Sequence, residues 1–172
     1  SAIANEHQAD YFLSIHSNAY TGKINYPLML FRGYDDEPVF PAAKEMSSLM
    51  WQQFNQHGRG YWKYSWENVR GDWSFYPDWG TQGLGVLRNL QMPGHLSEGS
   101  FHDYIPESWR LMNVDYRAYE AWLLARSFLD YSQSTYPEFG LVEGLVRDAQ
   151  EEVTDYYTIN QVNDHLKPVN GI

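Results

Sequence analysis

The segment Ala9-Asp10-Tyr11-Phe12-Leu13-Ser14-Ile15-His16-Ser17-Asn18-Ala19 constrains this chain more than any other. Tyr11, Phe12, Leu13 and Ile15 form a short apolar run, rich in aromatic and β-branched residues, of the length of a buried strand. The run closes on Ser-Ile-His-Ser-Asn, which delivers an imidazole, His16, to the C-terminal tip of the strand. In an open α/β sheet, ligands and metals gather at such tips. A lone histidine is more often a satisfied core residue. What changes the reading is a second strand-to-polar-tip pattern downstream that ends in a carboxylate.

That second pattern is Leu84-Gly85-Val86-Leu87-Arg88-Asn89, then Met92-Pro93-Gly94-His95-Leu96-Ser97-Glu98-Gly99-Ser100-Phe101. It reads as two short strands separated by a Pro turn, the second bringing Glu98 to its end just before Gly99. A carboxylate on a buried strand is costly unless it is paired, metal-linked or catalytic. The expected core is an α/β fold, a mostly parallel sheet with helices packed on both faces over residues 8–131. Both motifs end apolar strands, so His16 and Glu98 are expected at the same edge of that sheet.

Taken as an ordered set, these residues resemble the zinc-dependent N-acetylmuramoyl-L-alanine amidases of the amidase type 3 family. Ala4-Asn5, Ala9-Asp10, Ser14-Ile15-His16-Ser17-Asn18, Val86-Leu87-Arg88 and Pro93 through Phe101 fall in the family's order, across residues 1–131. The resemblance implies that His16 is a zinc ligand and Glu98 the general base and acid. It implies Zn²⁺ as cofactor, a peptidoglycan muropeptide as substrate, and a periplasmic or extracellular location in the cell envelope. The family's Gly-His-Gly-Gly motif is absent, so a catalytic domain truncated at its N-terminus is expected, with the first strand, first helix and two ligands lying upstream of Ser1. His95, Ser100 and His102-Asp103 also depart from the family's usual residues.

Composition narrows the partners. A formal net charge of -10 lacks the basic footprint of a nucleic-acid binder. No run of eighteen apolar residues occurs, so no transmembrane segment is expected. With 0 Cys, disulfides and thiolate metal sites are excluded, and His and carboxylates remain as the strong metal ligands. The 7 Trp and 14 Tyr suit sugar stacking and equally suit a large aromatic core.

Along the rest of the chain, residues 25–32 read as a strand, 33–41 as a loop, and 42–57 as a helix stopped by Gly58. Residues 58–83 read as a long irregular loop carrying Trp62, Trp66, Trp73 and Trp79. This loop is read as a rim for glycan or peptide, with a self-packed loop as the competing reading. Its Arg70-Gly71-Asp72 reads as a turn. Residues 106–131 read as one long helix, with Glu107 placed to complement the dipole at its start. A polar linker over 132–139 follows. Residues 140–172 resemble the start of a carboxypeptidase regulatory-like β-sandwich module, too short to close by itself.

In the amidase reading, Asn18 orients the His16 loop, Arg88 faces a stem-peptide carboxylate or forms a structural ion pair, and Trp73 and Trp79 contact substrate. His95 and His102 flank Glu98. Two other classes stay open. One is a catalytically silent amidase-like domain that binds cell-wall glycan or another polysaccharide through the Trp-rich loop. The other is a polysaccharide-active protein using Glu98 and Asp103 as paired carboxylates.

Overall fold

The computed structural model describes residues 1–58 and 67–137. Trp62, Trp66 and the β-sandwich start expected over 140–172 lie outside the described residues. Four strands form one sheet: β1 (Phe12–Asn18), β2 (Leu28–Phe31), β3 (Val69–Gly71) and β4 (Gly94–Phe101). Their spatial order is β1-β4-β2-β3. β4 runs parallel to β1 and antiparallel to β2, and β2 runs parallel to β3. The sheet is therefore mixed, with two parallel pairings and one antiparallel.

Side-chain alternation assigns the two faces. Met29 of β2 packs with Met46, Met50 and Trp51 of α2 (Pro41–Gln53), Phe54 just beyond it, and Leu123 and Leu124 of α5 (Val114–Tyr131). Tyr11 and Leu13 join this face from the β1 side. On the opposite face, Leu28, Leu30 and Leu96 pack against Tyr26, Phe75, Tyr76, Leu84 and Val86. A satellite cluster of Leu87, Leu90 and Met92 seats Phe12 and, from α1 (Ala2–Glu6), Ala4. Helices thus cover both faces, as expected. α2 forms where expected: Pro41 at its first turn has a fixed φ suited to starting a helix.

Three expectations are corrected. Residues 84–89 are not a strand: the Leu87 and Leu90 amides donate to the Leu84 and Leu87 carbonyls in successive turns, which bury Leu87 without sheet pairing. Within the expected irregular loop, the chain builds β3, the short helix α3 (Asp72–Phe75) and a 3₁₀ turn over Pro77–Gln82. Asp72 is the reason. Its buried carboxylate accepts from the Gly33 amide at 3.0 Å and the Leu84 amide at 2.8 Å, tying the start of α3 both to the chain just past β2 and to the turns that follow the segment. Arg70-Gly71-Asp72 is accordingly a strand end running into a helix, with Asp35 accepting from the Gly71 amide and the Arg70 Nε. Finally, the long C-terminal helix is two helices, α4 (Ile105–Leu111) and α5.

The break falls at Asn113, whose extended backbone ends one helix while its Oδ1 accepts from the Asp115 amide at 2.8 Å and the Tyr116 amide at 3.3 Å. These are two of the donors a helix start leaves without intrahelical partners. Within α4 the fully buried Glu107 and Arg110 pair at 2.7 Å, and Glu107 also accepts from the Tyr116 hydroxyl across the break and from the Asn25 side chain. Asn25 in turn accepts from the Phe101 amide. The cluster clamps the end of β4 to both helices. Asn113→Ala is expected to cost about 1 kcal/mol of unfolding free energy by loss of the cap. Urea titration checks this, and an unchanged midpoint would show that the cap does not hold the break.

Candidate functional site

β1 and β4 set His16 opposite Glu98 as register partners on adjacent parallel strands. Partners in register project to the same face, with backbones about 4.8 Å apart. Immediately after His16 the pairing shifts, and Asn18 comes opposite Phe101. The pair thus sits where the regular ladder ends, at one edge of the sheet. Glu98 itself is not at the end of its strand, because β4 continues through Phe101. Its carboxyl leaves from the face of a strand rather than from a tip.

The two partners differ in environment. His16 is exposed, whereas Glu98 is buried at 9%. Glu98 Oε2 is enclosed and has no hydrogen-bond partner among the described residues. An ionised carboxylate can only accept, so burial without a donor penalises its charged form. Burial accordingly pushes the Glu98 carboxyl up to about 7. That value suits a group that takes and returns a proton near neutral pH.

Asn18 accepts from the Ala19 amide through its own Oδ1, and its backbone carbonyl accepts from the His102 amide at 2.8 Å. It is a turn former beside His16. Arg88 donates to the carbonyls of Gln82 at 3.0 Å and Gly83 at 3.4 Å, stapling the end of the 3₁₀ turn. Among the described residues it forms no ion pair.

The structure does not bring Trp73 to that corner. β2 is antiparallel to β4, so its first residue, Leu28, lies opposite Glu98 and its last, Phe31, opposite His95. The Trp73 amide donates to the carbonyl of Gly33, two residues past that far end, which itself lies about 10 Å along the sheet from Glu98 at the usual strand rise. Trp73 packs edge-on to Tyr34 and under Arg32. Trp79 is half exposed and stacked on Tyr76.

Of the two histidines that flank Glu98 in the sequence, His95 does not lie beside it. His95, three residues earlier, projects to the opposite face, where it is fully buried. Its Nδ1 lies 2.6 Å from the Tyr11 hydroxyl and its Nε2 3.1 Å from Met50 Sδ. A thioether only accepts, so Nε2 carries the proton and Tyr11 donates to Nδ1. Burial drives the His95 pKa down to about 3, keeping the ring neutral. His102 is exposed and shares a hydrogen bond with Ser17 at 3.1 Å. Asp103 accepts from the Tyr20 and Gly22 amides, pinning the β1–β2 loop.

Sequence reasoning missed Tyr76. It packs with Leu28, Leu30 and Leu96 on the Glu98 face; burial and then the Glu98 charge raise its phenol above the usual tyrosine range. Among the described residues, no three His, Asp or Glu side chains gather as a metal-holding group. A catalytic zinc takes three protein ligands. The described residues therefore fit one ligand position, His16, with a carboxylate beside it, and not a complete zinc site.

No family model matches the chain, and no curated protein matches it in sequence. Solved structures do match in three dimensions. The catalytic domain of CwlV, an N-acetylmuramoyl-L-alanine amidase from Bacillus (Paenibacillus) polymyxa var. colistinus, superposes with a TM-score of 0.59 at 19% identity, covering 78% of this chain and 64% of that one. For the N-acetylmuramoyl-L-alanine amidase AmiC2 of Nostoc punctiforme, the TM-score is 0.59 at 22% identity, covering 77% and 63%. For the N-acetylmuramoyl-L-alanine amidase of Clostridium difficile 630, it is 0.60 at 21% identity, covering 79% and 64%. The chain spans less than two thirds of the length of each of these structures. At these identities the likeness is one of architecture: the chain has the α/β fold seen in N-acetylmuramoyl-L-alanine amidases.

Proposed function

We propose that this chain is part of the catalytic domain of a zinc-dependent N-acetylmuramoyl-L-alanine amidase, a cell-wall hydrolase of the periplasm or cell exterior. The bond cut is the amide between the lactyl group of N-acetylmuramic acid and L-alanine of the peptidoglycan stem peptide. The observation that carries this reading is the register pairing of His16 with Glu98 on one face of the sheet, in a fold shared with amidases.

Amide hydrolysis near neutral pH needs an activated water, a polarised carbonyl and a proton for the leaving nitrogen. His16, with ligands from outside the described residues, would hold the zinc, which when bound would supply Lewis-acid polarisation and lower the pKa of a bound water to about 7. His16 would offer a ring nitrogen from an exposed position. Glu98 takes the proton of the attacking water on its carboxylate and returns it to the departing amine, work worth about 10²–10⁴-fold. A carboxyl poised near neutrality performs both halves of that transfer.

In the full-length protein, Glu98→Gln is expected to lower turnover of muropeptides by about two orders of magnitude or more. The same substitution should not weaken the fold. Glu98 has a folded pKa of about 7 against an ordinary 4.5, so its contribution to stability is fully present below pH 4.5 and is lost as pH rises through 7. Replacing it by a neutral isostere therefore raises the urea midpoint above pH 7, and the advantage fades towards pH 5. Activity loss with lowered stability at pH 8 would instead mean a structural role.

The zinc assignment has its own test. The 172-residue chain alone is expected to bind zinc weakly or not at all, and the full-length protein to bind it tightly in a manner that His16→Ala abolishes together with activity. Calorimetry that shows tight stoichiometric zinc on the 172-residue chain would mean the ligands are misassigned. A wild-type protein that binds peptidoglycan yet releases no free stem peptide would overturn the amidase reading.

A further inference from the structure

Tyr76, Pro77, Asp78 and Trp79 form a tight turn in which the Trp79 amide donates to the Tyr76 carbonyl at 3.0 Å. Pro77 fixes φ inside that turn. The result is a pair of parallel rings, with centroids 4.3 Å apart and planes 12° from parallel. The inner ring, Tyr76, is anchored in the cluster of Leu28, Leu30 and Leu96. Leu28 is the register partner of Glu98 on β2, and Leu96 precedes Glu98 by two residues on the same face. Phe75 adds an edge-on contact behind Tyr76 at 4.8 Å. The outer ring, Trp79, remains 51% exposed. A rigid aromatic wall therefore rises beside the Glu98 carboxylate, with its inner side held by the core and its indole open to solvent.

We infer that the stacked Tyr76–Trp79 pair is the sugar-side wall of the Glu98 corner, a platform for the apolar face of a hexopyranose ring of the glycan strand. The inference rests on the amidase reading of the site and says which half of the substrate the wall takes. A flat, exposed indole matches the C–H face of a neutral sugar ring. A peptide stem carries carboxylates, and Glu98, the exposed Asp78 and a chain of net charge -10 disfavour those here. Trp73 does not share the role: Tyr34 and Arg32 engage its ring at the opposite end of the sheet. Tyr76 is a positioning residue, acting through the ring it supports.

The test uses the full-length protein and two readouts. In calorimetry, a peptide-free oligosaccharide of alternating N-acetylglucosamine and N-acetylmuramic acid should bind wild type about tenfold more tightly than Trp79→Ala, the upper range of a ring-stacking contact. Trp79→Phe, which keeps a flat ring, should recover most of that difference. In kinetics, Trp79→Ala should lower kcat/KM about tenfold more for a disaccharide-peptide than for a lactyl-peptide that lacks sugar rings, chiefly through KM. Equal losses on both substrates, or glycan binding indifferent to the loss of the indole, would overturn the platform. Trp79-dependent glycan binding by a wild-type protein that cleaves neither substrate would leave the platform standing and remove the amidase reading instead.

Discussion

Everything in this fold is arranged around β4, a strand buried along its whole length yet carrying four polar side chains. All eight residues from Gly94 to Phe101 are buried, and β1 and β2 hydrogen-bond to the strand on either side. Burial on both faces is normal for an interior strand of an α/β sheet, but such strands read as nearly continuous apolar runs. Here His95, Ser97, Glu98 and Ser100 break the run. Each buried polar group must find a partner or raise the energy of the fold.

The strand meets that demand differently on its two faces. On the α2 and α5 face, His95 is fully provided for, donating to Met50 and accepting from Tyr11 in a neutral form. Gly99 lies on this face too, where the Glu120 carboxylate approaches its Cα closely enough that a Cβ would have to displace it. On the other face, Glu98 is enclosed with one oxygen left without a hydrogen bond among the described residues. The Ser100 hydroxyl is likewise buried without a partner among the described residues, but of the two groups the carboxyl is the one whose charge burial penalises and whose proton is exchangeable near neutral pH. The edge strand β1 completes the picture by setting an exposed imidazole opposite that carboxyl.

Much of this was legible in the sequence. β1 and β4 were readable because each couples apolar residues to a polar stop, and α2 because Ala43, Met46 and Met50 recur at helical spacing. The His16–Glu98 pairing followed from two strand patterns of similar design. What escaped depended on particular contacts. Leu84, Val86 and Leu87 look like strand residues, yet successive turns that Arg88 and Asp72 hold from the side bury Leu87 and half-bury the other two. Apolar residues run on through Leu111, Met112 and Val114, a pattern of one continuous helix, and the Asn113 cap divides it. Trp73 and Trp79 are six residues apart and looked equivalent. The antiparallel pairing of β2 with β4, which no local pattern announces, sends Trp73 to the far end of the sheet, and Tyr76 packs on the Glu98 face. His95 differs from Glu98 by an odd number of residues along one strand, so alternation alone places it on the other face.

The claim on which this account turns is that the fold holds the Glu98 carboxyl in a setting that makes it a proton carrier at neutral pH. A ¹³C NMR titration of the Glu98 side-chain carboxyl in the folded chain measures this directly. The account predicts a midpoint near 7. A midpoint near 4.5, the ordinary value for glutamate, would show a solvated carboxylate and contradict it.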